Sequence, residues 1–95
     1  MRTIQVRNEA QKLAIKQAFI RLTSDASWPV LRELAEEVVY NLEQKALTED
    51  DRDKRDAYIF DARGARKFWA EWLRQIELAK NGEPLTDTFL EVVTD

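Results

Sequence analysis

The spacing of apolar residues changes along the chain, and each change marks an element. Residues 1–7 alternate, with Ile4 and Val6 set between Arg2, Thr3, Gln5 and Arg7, which predicts a short extended segment or an unstructured end. Asn8 is followed three positions later by Gln11. This is the form of a capping box, in which the asparagine accepts an orphan helix amide and the glutamine reaches back. A first helix is therefore expected over 8–22. Its apolar residues, Leu13, Ala14, Ile15, Ala18, Phe19, Ile20 and Leu22, cover more than one stripe and so need more than one neighbour. The polar cluster at 23–27 stops it and offers Asp25 or Ser27 as the next N-cap, with Pro29 in a first turn that does not need its amide hydrogen.

A second helix is expected over 28–47, where Leu31, Leu34, Ala35, Val38 and Leu42 recur at steps of three and four and Arg32, Glu33, Glu36, Glu37 and Glu43 fall on other faces. Thr48 precedes Glu49, Asp50 and Asp51. It is the candidate N-cap of a third helix over 49–81, with carboxylates where the helix dipole favours them. Along this helix Tyr58, Ala62, Ala65, Trp69, Trp72, Ile76 and Ala79 alternate steps of four and three, a seam for another helix. Asn81-Gly82 supplies a left-handed cap and Pro84 prevents resumption.

The short turn at Thr48 makes the second and third helices antiparallel neighbours. Leu31, Val38, Leu42 and Ile76 are the expected core, with Leu31 facing 65–69 and with Arg66, Lys67 and Glu77 outside. Gly64, among Ala62 and Ala65, predicts either a close backbone approach or a kink, since a mid-helix glycine costs roughly 1 kcal/mol relative to alanine. The acidic tail over 83–95 contains Phe89-Leu90-Glu91-Val92-Val93, which is either a strand pairing with the basic segment near Thr3 or a short helix. The expected fold is mainly α: one helical domain over 1–95, a three-helix arrangement with a long helix 2–helix 3 hairpin and extended terminal segments able to pair.

Composition narrows the function. The 95 residues contain no cysteine and no histidine, which removes disulfides, thiol chemistry, the commonest general base and the commonest transition-metal ligand. The two glycines, Gly64 and Gly82, form no phosphate loop. Catalysis and a cofactor are not expected. Glu49, Asp50, Asp51, Asp53 and Asp56 are the densest carboxylate cluster. Counted as an EF-hand from Asp51, however, it puts Asp56 where glycine belongs and Ala62 where the bidentate glutamate belongs, so no metal is expected there. No apolar run approaches the roughly 18–20 residues that span a bilayer, and residues 1–7 lack the apolar stretch of a signal peptide. A cytoplasmic chain is expected, or a virion component if viral.

Net charge is −3, but residues 1–24 carry Arg2, Arg7, Lys12, Lys16 and Arg21 against Glu9 alone, five minus one. Lys12 and Lys16 lie one turn apart, and Arg63, Arg66 and Lys67 cluster on the third helix. These are the candidate phosphate contacts if the partner is nucleic acid. The candidate protein-binding residues are Phe68, Trp69 and Trp72, with Phe89 and Leu90 in the tail, because large aromatics dominate interface energetics. Positions 68, 69 and 72 span about 100° of a helix, too much for one intramolecular groove.

Trp28 with Leu31 and Leu34 opening one arm, the charged turn at 48–53, and Arg63-Gly64-Ala65-Arg66 ahead of Phe68, Trp69 and Leu73 resemble small helical-hairpin proteins encoded among the head and packaging genes of tailed bacteriophages. The likeness covers 28–79. Such proteins more often carry Gln-Gly-Arg-Ala at the glycine, and the basic first helix and acidic tail are additions. The resemblance implies a non-enzymatic role in particle assembly or in binding a host or virus protein, with no catalytic residues. The leading expectation is thus a protein-interaction module, acting on a protein partner or by self-association. The alternative is a nucleic-acid-associated protein using the basic first helix, or an acidic inhibitor of a host nucleic-acid-binding protein.

Overall fold

The computed structural model describes residues 2–95. The elements run β1 (Thr3–Val6), α1 (Glu9–Ser24), α2 (Trp28–Thr48), α3 (Arg52–Lys80), α4 (Asp87–Leu90) and β2 (Glu91–Thr94). The fold is mainly α, with a long α2–α3 packing and a terminal strand pair. It divides into two compact units, residues 2–25 with Leu73–Asp95, and Ala26–Trp72. The single helix α3 supplies residues to both.

In the terminal unit α1 starts as its capping box requires: Asn8 Oδ1 accepts from the Gln11 amide and Gln11 Oε1 from the Asn8 amide, both at 2.9 Å. The tail realises both readings in succession. One turn of helix, α4, leads directly into β2, which pairs antiparallel with β1 in the register Thr3↔Thr94, Ile4↔Val93, Gln5↔Val92 and Val6↔Glu91. The Arg7 amide extends the pairing to the Leu90 carbonyl at 2.8 Å, and its Nε donates to the Phe89 carbonyl at 3.3 Å. The core here is Phe19, Ile76, Ala79 and Leu85, with the Phe89 ring tilted against Phe19 at 5.9 Å.

At the end of α3 the Glu83 amide returns to the Leu78 carbonyl and the Gly82 amide to Ala79. Gly82 has φ +71°, the left-handed residue on which this paired cap depends. The reversal is pinned by Gln75, which is fully buried. Its Nε2 donates to Thr86 Oγ1 at 2.6 Å and its Oε1 accepts from the Thr86 amide at 2.9 Å.

In the hairpin unit α2 and the first part of α3 run antiparallel. The Trp28 and Trp69 rings meet at 6.1 Å, Arg66 pairs with Glu43, and Lys45 Nζ lies 5.2 Å over the Tyr58 ring. Thr48 does not cap α3. It is the last residue of α2, and its hydroxyl donates back to the Gln44 carbonyl. The cap is Asp51, whose Oδ1 accepts from the Lys54 amide at 3.0 Å and whose carbonyl accepts from Arg55. α3 therefore begins at Arg52 rather than 49, since Glu49 Oε1 takes the Asp51 amide and holds 49–51 as a turn.

Ile76 is buried, while Arg66, Lys67 and Glu77 are exposed, as expected. Leu31 and Val38 are not core: they are 49% and 48% exposed, and Leu42 is only half-buried. The buried residues of α2 are Val39 and Ala46, and Ala62 is the buried residue of the hairpin part of α3. The apolar arc of α2 is broader than one neighbouring helix can cover, so one shoulder of it stays open. Of the two alternatives at Gly64, the structure bears on the close approach, because a Cβ built there meets no atom within 4 Å. The close approach is absent and α3 continues through Gly64 without interruption. Gly64→Ala is accordingly expected to stabilise the chain by about 1 kcal/mol, read as a higher urea midpoint at unchanged slope. A lower midpoint would mean that the glycine serves a contact.

Candidate interaction surfaces

Helix arithmetic sorts the side chains of the hairpin. At about 100° per residue, Leu31, Leu34 and Val38 fall on one side of the α2–α3 seam, and Glu43 and Leu47 on the other. On α3, Phe68 lies to one side, and Ile59, Arg63, Arg66 and Lys67 to the other. Each side holds a groove of about 420 Å³.

The first groove is lined by Leu31, Leu34, Ala35, Val38 and Val39 of α2 and Ala65, Phe68 and Trp69 of α3, with no charged residue among them. Leu34 is 53% and Phe68 65% exposed. Trp69 is half-buried with its ring tilted against that of Trp28, and its indole N–H is buried without a hydrogen-bond partner among the described residues. Ring packing rather than a polar contact holds it there. Phe68 packs on its outer side against Trp72, with centroids at 5.9 Å.

The second groove has an aliphatic floor of Ala46, Leu47, Ile59 and Ala62, with Glu43 on one edge and Arg63, Arg66 and Lys67 on the other. The three cations expected to cluster on α3 do so.

In the terminal unit Lys12 and Lys16 both line a recess with Leu13, Pro84, Leu85 and Leu90, but Lys12 already pairs with Glu9 at 3.2 Å. Arg7, counted in the basic excess, is engaged with the tail carbonyls. Phe89 and Leu90, expected to bind a partner with Phe68, Trp69 and Trp72, lie in this unit rather than in the hairpin. Both are half-buried, Phe89 against Phe19.

Among the described residues no group of three or more carboxylates converges as a metal site would require, and no helix is long and apolar enough to cross a membrane. The second groove was missed at the sequence level as a groove. Its cations were visible, but Leu47 and Ile59 lie outside the periodic seam that drew attention. Comparison with protein-family models, curated proteins and solved structures finds no match for this chain.

Proposed function

We propose that the chain is a non-enzymatic protein-interaction module whose uncharged hairpin groove pairs with the same groove of a second copy. The observation that carries this reading is the exposure of Leu31, Leu34, Val38 and Phe68 along one unbroken face. The largest contiguous apolar patch on a monomer is about 300–600 Å² and is often a functional surface. These four side chains leave on the order of 400 Å² open, about half of the roughly 800 Å² that each partner buries in a stable interface. A face whose lining carries no charge meets its own copy without like-charge repulsion, and it needs that burial, because the hairpin's own buried residues are Val39, Ala46 and Ala62. The accessory or assembly role implied by the resemblance to phage hairpins belongs to the same class of function.

Phe68 is the anchor to test. Light scattering is expected to give a mass above that of the monomer for the native chain. Phe68→Ala should weaken association by about 2 kcal/mol or more while circular dichroism stays unchanged. A chain that remains monomeric at every concentration, or a Phe68→Ala form that unfolds, would overturn the reading.

A further inference from the structure

The second groove differs from the first in the way that decides what fits it. Its floor is aliphatic, and Leu47 is 77% exposed there. Its α3 edge carries three cations, of which only Arg66 is neutralised, by Glu43 across the mouth. Arg63 and Lys67 join no ion pair among the described residues. The two edges are therefore unequal: the α2 edge is spent, and the α3 edge holds two uncompensated positive charges about one turn apart.

We infer that this groove docks an amphipathic helix of a partner protein that presents an apolar stripe with carboxylates along one edge. A cleft between two packed helices accepts the side-chain ridge of a third, and the apolar stripe would cover Leu47 and Ile59. The carboxylate edge must lie over α3, because over α2 it would meet Glu43, so the charge pattern sets the direction in which the guest helix faces. A second copy of this face is a poor occupant, since pairing it with itself would bring four uncompensated cations together. Nucleic acid fits less well too. No aromatic ring lines the groove to stack a base, and a phosphate backbone would leave the aliphatic floor uncovered. The hairpin then has two sides of different chemistry, one for its own copy and one for an acidic helix.

The test uses three fluorescently labelled peptides of about 18 residues that share a leucine stripe and carry glutamate, glutamine or lysine along one edge, titrated with the full chain. The glutamate peptide should bind about tenfold more tightly than the lysine peptide, the size expected of two partly exposed charge pairs. That preference should shrink as salt rises from about 50 to 300 mM. Arg63→Glu with Lys67→Glu should reverse the preference, and Leu47→Asp should weaken all three peptides, with circular dichroism unchanged in both variants. Equal binding of the glutamate and lysine peptides, or no binding of either, would overturn the inference. So would displacement of the glutamate peptide by a single-stranded oligonucleotide whose own binding needs Arg63 and Lys67 but not Leu47. Phe68→Ala should leave peptide binding unchanged, which separates this groove from the uncharged one.

Discussion

Phe19→Ala is expected to lower the unfolding free energy by about 3–5 kcal/mol. Phe19 is the largest of the buried apolar side chains of the terminal unit and the one buried residue of α1. Its ring faces Phe89, so truncation removes both its transfer free energy and an aromatic contact worth about 0.5–1.5 kcal/mol beyond area. The surroundings are built from a helix, a capped reversal and a strand pair, and can collapse into the void only in part. A chain of this length has little stability to spare, and the variant should be measurably unfolded at room temperature. Urea denaturation followed by circular dichroism reads the effect, with Leu13→Ala as the control: Leu13 sits on the same helix but is exposed, and its truncation should stay within about 0.5 kcal/mol. Equal midpoints for the two variants would place Phe19 outside the core.

Gln75→Leu should cost about 1–3 kcal/mol despite being more apolar and nearly isosteric, because it strands polar groups that have left water. The buried amide holds Thr86 by two bonds, one to its hydroxyl and one to its backbone amide, and Thr86 is the N-cap of α4. Loss of the clasp should therefore loosen the tail selectively, with limited proteolysis cutting near α4 before the helices. Thr86→Val removes the hydroxyl alone. If the clasp acts as one unit, the double variant should lose less than the two single losses added together, by about 0.5–3 kcal/mol. Strict additivity would show that Gln75 and Thr86 act separately.

Local signals were legible and shared ones were not. The capping box at Asn8 and the left-handed cap at Gly82 could be read directly, because each is decided within a few residues. Thr48 and Asp51 are both good caps three positions apart. The choice fell to Asp51 through the turn held by Glu49, a detail that residue preferences do not contain. The tail offered a helix and a strand and uses both, since the strand half depends on a partner near the other end of the chain. Periodicity found the apolar arc of α2 but could not say how much of it one helix would cover, and so it placed Leu31 and Val38 in a core that reaches only Val39 and Ala46. Gln75 was invisible because a polar residue beside the apolar seam is usually solvated, and only its partner eleven positions later explains its burial. Among the candidate site residues, Arg63, Arg66 and Lys67 line one groove, as their spacing on a helix allows, and Phe89 and Leu90 belong to the terminal unit.

The pairing of β1 with β2 has a topological consequence. It sets Thr3 beside Thr94, at the spacing of about 4.5–5.5 Å between opposed antiparallel residues, so the two strands enter and leave the fold at a single point. The price of that closure is the entropy of a loop almost as long as the whole chain. A circular permutant that links these ends by a short turn and opens at 49–51 would make the strand pair a local hairpin and the α2–α3 packing the distant one. The order in which the two close would be exchanged while the strand register and the α2–α3 packing stayed the same.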